Sequence, residues 1–212
     1  MNIALIEGIF KNRKSRSMQY FNRFSVLVPM VTYHDEIHIL FEVRSAEMKS
    51  QPNDVCFPGG QVEKGESPAY TAVRETYEEL GIQMDKIRII KELDYMIIHS
   101  SSIMNVFLGE IKYEDLQKMD INKKEVQEVF LVPLNYFLTE EPLCHETIVK
   151  SEVKEDFPFH LIANGKDYDW RHTKVPVYFY KYDTKIIWGL TARIIKHLAK
   201  IVKNEMNRQN FE

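Results

Sequence analysis

The sequence predicts a single α/β domain in which helices pack around a mixed β-sheet. Strand-like alternation runs through two segments between Phe24 and Val43, and amphipathic helices are predicted over 68–80 and Ile187–Lys203. No stretch rich in Gly, Ser or Pro divides the chain. One domain is therefore expected over residues 1–212, with N-terminal and C-terminal helical extensions that both pack around the sheet.

Composition and charge exclude several classes of protein. The chain has 212 residues, a formal net charge of −3 and 2 cysteines. Such a balanced charge creates no global field for nucleic acid or anionic lipid, and two cysteines cannot form a disulfide framework. Glu7 interrupts the apolar N-terminal stretch, and no run approaches the ~20 apolar residues that span a membrane. We expect a cytoplasmic protein without nucleic-acid or membrane partners, for which a homodimer is compatible with the sequence.

The first part of the chain is predicted to contain a helix, two strands and a long loop. Residues 2–10 have the apolar spacing of a short helix. The basic stretch 11–16, KNRKSR, is either a solvated connector or a patch that contacts phosphate. His34-Asp35 is predicted as the turn between the strands, and residues 44–60 as a loop rich in Pro and Gly.

The later elements are predicted from shorter patterns, and residues 140–172 give no clear one. Leu190, Ile194, Leu198 and Ile201 are expected on the inward side of the C-terminal helix. An acidic and basic segment, Tyr113–Glu128, leads into the apolar run VFLVPL. Strands are predicted at Ile87–Leu93, Tyr95–His99, Ile103–Glu110 and Val175–Tyr180.

The helix over 68–80 carries the strongest local signals in the chain. Ser67 suits the N-cap, Pro68 suits the first helical position, and Gly81 suits the residue just past the end. The buried stripe of this helix is expected to consist of Ala69, Ala72, Val73, Thr76 and Leu80.

Another face of the same helix collects negative charge. Glu75, Glu78 and Glu79 fall within roughly 100° of one another, at spacings where like charges repel. They also lie in the C-terminal half, where the helix dipole disfavours anions. Taken alone, this pattern is typical of a solvated acidic face. Alternatively, the carboxylates converge on a hard divalent cation, with Arg74 orienting one of them.

The wider spacing decides between these readings. Residues 60–82 read GQVEKGESPAYTAVRETYEELGI, and every fixed position of the Nudix box is filled. The chain therefore resembles the Nudix hydrolases, which cleave nucleoside diphosphates linked to another moiety. The positions that carry the resemblance are Gly60, Glu66, Arg74, Glu75, Glu78, Glu79, Gly81 and Ile82.

The resemblance implies a Nudix-like α/β/α sandwich and a metal-dependent pyrophosphatase. It implies that Mg²⁺ or Mn²⁺ is bound by Glu75, Glu78, Glu79 and the backbone carbonyl of Gly60. Glu66 would support the site from the loop, and Arg74 would hold Glu75 in place. These residues, together with a general base outside the box, would form the catalytic set. Glu125 is the first candidate for that base, and Glu128 is the second.

The loop before the box points to a substrate class. VRSAEMKSQPNDVCFPGG resembles the signature of coenzyme A pyrophosphatases, although Lys49, Gln51 and Asn53 replace the usual Arg, His and Gly. A Lys at this position loses the bidentate contact to phosphate that an Arg would make. Contacts to substrate are expected from Arg44, Ser45, Lys49, Phe57 and Gly59.

The resemblance implies cleavage of coenzyme A or its derivatives to adenosine 3′,5′-bisphosphate and 4′-phosphopantetheine. The 3′-phosphate needs a cation, for which Arg44, Lys49 and the stretch 11–16 are candidates. One alternative is a Nudix pyrophosphatase for ADP-ribose or another nucleoside diphosphate derivative. Another is a nucleotide-binding sensor without catalysis. Cys56 is interpreted as a small buried residue, and Trp188 as a core aromatic rather than a substrate contact.

Overall fold

The computed structural model describes residues 2–14, 22–98 and 102–209. No helix in these ranges is long and apolar enough to cross a membrane. The helices and strands, in chain order, are α1 (Ile3–Phe10), β1 (Asn22–Tyr33), β2 (Glu36–Arg44), β3 (Val55–Cys56), β4 (Gly59–Gln61), α2 (Pro68–Leu80), β5 (Ile87–Glu92), β6 (Met96–Ile98), β7 (Ser102–Ile111), α3 (Tyr113–Leu116), β8 (Val126–Pro133), α4 (Leu134–Thr139), β9 (Leu143–Val149), β10 (Thr173–Tyr182), β11 (Lys185–Trp188) and α5 (Gly189–Gln209).

The main sheet is built around β1. Its strand order is β3-β2-β1-β7-β5, with β4 paired to β1, β6 paired to β7 and β8 paired to β2. The β1–β7 pair is parallel, whereas the other pairs are antiparallel, so the predicted mixed sheet is confirmed. His34 and Asp35 both have positive φ, 51° and 61°, as a tight two-residue hairpin turn requires. The predicted turn between β1 and β2 is therefore also confirmed.

Each face of the sheet packs against helices. Successive residues of a strand point to opposite faces, so Leu27 packs on the α2 side and Val28 packs on the α5 side. The α5 side also receives Phe137 of α4 and Ile187 of the second, three-stranded sheet β11-β10-β9. Helices thus cover both faces, and the predicted α/β/α sandwich is confirmed.

The predicted packing of the N-terminal helix is wrong. A helix forms at Ile3–Phe10, but none of its residues is buried, and Ile3 is 76% exposed. Helix α2 already covers one face of the sheet, and α4 and α5 cover the other, so no described core face is left for α1. In the basic stretch that follows, Lys11, Arg13 and Lys14 are exposed, whereas Arg16 lies outside the described residues.

Two other boundaries differ from the prediction. The C-terminal helix begins at Gly189, because Ile187 and Trp188 pair with β10 as part of β11. Strand β9 was not predicted, since all seven of its residues are exposed and it shows no alternation. It forms through pairing with β10, a contact that its own sequence does not encode.

The end of α2 generates a prediction about stability. Gly81 has φ +69°, and an added Cβ would lie 2.5 Å from the carbonyl oxygen of Asp120. Gly81→Ala is expected to lower the free energy of unfolding by about 2 kcal/mol or more, through left-handed strain together with this close approach. Urea denaturation measures the loss. Gly65→Ala is the control, since Gly65 also has positive φ but meets nothing within 4 Å; equal losses in both variants would contradict the role of the close approach.

Candidate active site

Helix α2 presents the acidic residues on a well-capped scaffold. It spans Pro68–Leu80 as predicted, and the Ser67 side chain accepts a hydrogen bond from the Tyr70 backbone N–H. Ser25 of β1 donates its hydroxyl to the carbonyl of Pro68 at 2.6 Å, which fixes the start of the helix on the sheet. These contacts fix the position of α2 on the sheet. They therefore determine where the carboxylates in the later turns of this helix lie.

Arg74 binds three of the predicted site carboxylates. Its Nε lies 2.9 Å from Glu66 Oε1, its Nη2 lies 2.9 Å from Glu75 Oε1, and its Nη1 lies 2.8 Å from Glu78 Oε2. Glu66 also accepts the Thr71 hydroxyl at 2.7 Å, and its bonds to Arg74 lower the pKa of Glu66. The guanidinium fork therefore holds Glu75 and Glu78 apart and ties both to the loop.

Glu79 points toward the sheet instead of joining Glu78. It is buried, and its Oε2 accepts the Gly59 backbone N–H at 2.9 Å. Burial raises the pKa of Glu79 well above its usual value, and the neighbouring Glu42 raises it further. By contrast, the Glu78 side chain is 48% exposed. Glu78 and Glu79, which were predicted to share one face of the helix, therefore lie in different environments.

Glu42 is a site residue that the sequence analysis missed. It lies in β2 and is 1% exposed, and burial raises its pKa to about 7. The Cys56 thiol donates to Glu42 Oε1 at 3.1 Å, and Glu42 Oε2 has no hydrogen-bond partner among the described residues. The signal was present in HILFEV, where one charge interrupts an apolar strand. Burial and Glu42 together raise the pKa of Cys56, so Cys56 is not a reactive thiolate.

Gly60 allows the backbone of β4 and the side chains of α2 to approach each other closely. A Cβ at this position would overlap the carboxylate of Glu75. The backbone of Gly60 and the side chain of Glu75 are therefore neighbours only because residue 60 has no side chain. This arrangement places the predicted backbone ligand and a predicted carboxylate ligand side by side.

The structure separates the two candidate bases. The Glu125 carbonyl accepts the Ser45 N–H at 2.7 Å, and the charge of Glu125 raises the pKa of Glu42, Glu75 and Glu79. Glu125 thus lies on the side of the acidic cluster formed by Glu42, Glu75, Glu78 and Glu79. Glu128 instead pairs across the sheet with Val43 and forms an ion pair with Lys185. Val43 belongs to the core on the α5 side, so Glu128 faces away from the acidic cluster.

Of the predicted cationic substrate contacts, Arg44 is the last residue of β2 and Lys49 lies on the loop that follows. The half-buried Arg44 donates from Nε to the Ser50 carbonyl at 3.3 Å, and its charge lowers the pKa of Glu42. Lys49 is exposed at the tip of the loop. Ser45 is buried, and its hydroxyl accepts the Glu47 N–H at 3.3 Å.

The positions of two aromatic residues, Phe57 and Trp188, differ from those expected from the sequence. Phe57 is 4% exposed and stacks on Phe41 with centroids 4.9 Å apart, so its predicted substrate contact is not supported by the position of its ring. Trp188, interpreted as a core aromatic, is 42% exposed, stacks on Phe179 and donates to Asp54. That interpretation is wrong, because Trp188 lies on the outer side of the edge strand β11.

The donor set suits a hard divalent cation. Glu42, Glu75, Glu79 and Glu125 influence one another electrostatically, and one Glu42 oxygen is buried without a described partner. Within the described residues, no three His, Cys, Asp or Glu side chains already form a metal site. Arg74 binds Glu75 and Glu78, and Gly59 binds Glu79, so the carboxylates would have to exchange these partners for the cation.

The acidic cluster predicts the pH dependence of stability without metal. The folded-state pKa of Glu42, about 7, exceeds its ordinary value of 4.5, so Glu42 favours folding below pH 4.5 and this contribution is lost as pH rises through 7. Glu42→Gln should therefore change the free energy of unfolding of the metal-free protein more favourably at pH 8 than at pH 4.5. The difference between the two changes is expected to be on the order of 3 kcal/mol. Urea denaturation with chelator at the two pH values measures the difference. An unchanged pH dependence would show that Glu42 is not the titrating group.

Comparisons with known proteins agree with the sequence pattern and the geometry. The mouse peroxisomal coenzyme A diphosphatase NUDT7 is 28% identical over 182 residues, which cover 85% of this chain and 70% of that protein. Nudix hydrolase 3 of Caenorhabditis elegans is 30% identical over 183 residues, covering 85% and 72% of the two chains. A crystal structure of a MutT/nudix family protein from Enterococcus faecalis aligns with a TM-score of 0.50 at 16% identity, over 96% of this chain and 70% of that one. The NUDIX domain profile matches residues 22–150, and the chain therefore belongs to the Nudix family.

Proposed function

We propose that this Nudix hydrolase cleaves the diphosphate bond of coenzyme A or its derivatives, giving adenosine 3′,5′-bisphosphate and 4′-phosphopantetheine. The observation that carries the proposal is the attachment of the loop after β2 to the acidic cluster. The Ser45 N–H donates to the Glu125 carbonyl at 2.7 Å, and the Arg44 N–H donates to the Asp54 carbonyl at 2.9 Å. The same segment runs on to Gly59, whose N–H donates to Glu79 Oε2 at 2.9 Å, so the segment whose sequence resembles coenzyme A pyrophosphatases contacts the Nudix box directly. The 28% identity to a coenzyme A diphosphatase supports the same substrate class.

Hydrolysis of a diphosphate requires compensation of its negative charge. Bound Mg²⁺ or Mn²⁺ would neutralise phosphate oxygens and lower the pKa of an attacking water. Glu75, Glu78, Glu79 and the carbonyl of Gly60 are the residues that would hold the cation. Arg74 orients Glu75 and Glu78 through the hydrogen bonds described above.

The remaining residues have separate tasks in this proposal. Glu125 accepts a proton from the attacking water, because it lies beside the cluster and is only partly buried. Arg44, at the end of β2, and Lys49, on the loop that follows, attract the phosphate oxygens. Glu42 lies close enough to Glu79 for its charge to raise the pKa of Glu79, and the hydrogen bond from the Cys56 thiol holds the Glu42 carboxylate in place.

Glu78 tests the metal-dependent chemistry. Glu78→Gln is expected to lower turnover by about 100-fold or more, because an amide is a poor ligand for a hard cation. The free energy of unfolding should change by less than about 1 kcal/mol, because the Arg74–Glu78 pair is half-exposed. Products are identified by mass after incubation with Mg²⁺ or Mn²⁺ and, separately, coenzyme A, ADP-ribose and diadenosine polyphosphates.

The outcomes of this assay distinguish the candidate functions. Fastest release of adenosine 3′,5′-bisphosphate, lost in the Glu78→Gln variant, supports the proposal. Cleavage of ADP-ribose alone would retain the metal chemistry and overturn the coenzyme A assignment. Normal turnover by the variant would remove Glu78 from the metal site.

Glu125 and Glu128 form a matched pair for the general base. Glu125→Gln is expected to lower turnover by about 100-fold or more, with the loss concentrated in kcat. Glu128→Gln should stay within about twofold of the parent, because Glu128 binds Lys185 on the other face of the sheet. Steady-state kinetics on coenzyme A at several pH values measure both variants. Equal effects in the two variants would overturn the assignment of Glu125.

A further inference from the structure

A pocket lies on the opposite face of the sheet from the acidic cluster. Its volume is about 410 Å³, and it opens between α5, β10 and the connection from β5 to β6. The half-buried Leu93, Met96 and Tyr178 contribute apolar surface, with the buried Val106 and Ile194 behind them, and the rim carries cationic side chains of α5. The proposed catalytic chemistry uses none of these residues.

The cations come from one face of α5. Arg193, Lys196 and Lys200 are spaced by three and four residues, which stacks them along the helix beside the pocket. Lys196 lies over the ring of Tyr178, 4.7 Å from its centroid, and also pairs with Glu141 at 3.2 Å. Arg193 and Lys200 form no ion pair within the part of the chain that the structure describes.

The acidic residues nearby do not neutralise these two cations. Asp94 lines the same pocket, but its Oδ2 lies 2.6 Å from His197 Nε2. Glu141 is shared between Lys196 and Lys203, at 3.2 Å from each. The described pocket therefore combines an apolar wall with two cations available for an anion.

Sheet pairing fixes the distance from this pocket to the Nudix box. Gly59 pairs with Val26, Val26 pairs with Val106, and the Leu93 N–H donates to the Val106 carbonyl at 2.8 Å. Adjacent strands are ~4.8 Å apart, so the backbone of Val106 lies about 10 Å from that of Gly59. A nucleoside attached to a diphosphate bound at Gly59 would span a comparable distance.

We infer that the α5 pocket binds the 3′-phosphorylated adenosine of the substrate, with the 3′-phosphate on Arg193 and Lys200 and the adenine against Leu93 and Met96. A phosphate monoester presents several oxygens to the guanidinium fork of Arg193 and a second charge to Lys200. This inference rests on the proposed function, because it assigns one end of coenzyme A. It differs from the sequence expectation, which sought this cation in Arg44, Lys49 or the stretch 11–16.

Ligand binding without turnover tests the pocket directly. Calorimetry compares adenosine 3′,5′-bisphosphate with adenosine 5′-monophosphate on the metal-free protein. The double variant Arg193→Ala/Lys200→Ala is expected to weaken binding of the bisphosphate at least about 10-fold and that of the monophosphate less than about twofold. The control Lys174→Ala/Arg208→Ala also removes two cations, both outside the pocket, and should change neither.

Kinetics provide an independent measurement. The same double variant should raise KM for coenzyme A at least about 10-fold, with kcat unchanged, and leave KM for dephospho-coenzyme A unaltered. No binding of the bisphosphate to the parent protein, unchanged binding in the double variant, or an equal loss for both nucleotides would overturn the inference. If the parent protein binds the bisphosphate through these residues but does not cleave coenzyme A, the proposed function fails while the phosphate site stands.

Discussion

Two negatively charged side chains are buried in this fold, and the groups around them compensate their charge only in part. Glu42 and Glu79 lie in the interior between β2 and α2, and Glu75 and Glu125 stand close enough to raise their pKa further. A charged carboxylate in such surroundings is stable only with donors or a cation near it. The Gly59 N–H, the Cys56 thiol and the Arg44 charge supply part of this compensation. The remaining excess charge is what makes this end of α2 suitable for a divalent cation.

Arg74 organises the more exposed half of the same charge cluster. Its guanidinium contacts Glu66 from the loop and Glu75 and Glu78 from the helix, so one side chain links the two segments of the Nudix box. The local sequence alone would place these like charges in mutual repulsion. The Arg74 guanidinium, which all three carboxylates share, offsets that repulsion and holds them in a fixed arrangement. Glu78 can still move out of this arrangement because it remains half-exposed.

Because successive side chains of a strand point to opposite faces, the sheet separates the acidic cluster from the cations of the α5 pocket. Glu42 points to the α2 side, where the carboxylates gather, whereas Val43, its neighbour, packs toward α5. The cations of the α5 pocket are on that second side, about two strands from Gly59. Opposite charges are thereby kept apart, so the cations that we assign to a phosphate do not compete with the proposed metal ligands. The glycines of β4 lie between the two regions, where the absence of side chains lets the backbone of Ser25 and Val26 approach Gly59 and lets the Glu75 carboxylate approach Gly60.

The sequence by itself determined the features that depend on neighbours along the chain. Ser67, Pro68 and Gly81 fixed the ends of α2, because capping is local, and His34-Asp35 fixed the hairpin turn. The spacing from Gly60 to Glu79 predicted the family, and the NUDIX domain match over residues 22–150 confirms it. The tertiary structure decided everything that depends on contacts between distant segments. It brought Glu42 of β2 close to Glu79, placed Glu125 beside the cluster and Glu128 away from it, and left α1 without a core to cover. It also placed Arg193 and Lys200 beside Val106, because only strand pairing and helix packing set which residues of a chain become neighbours.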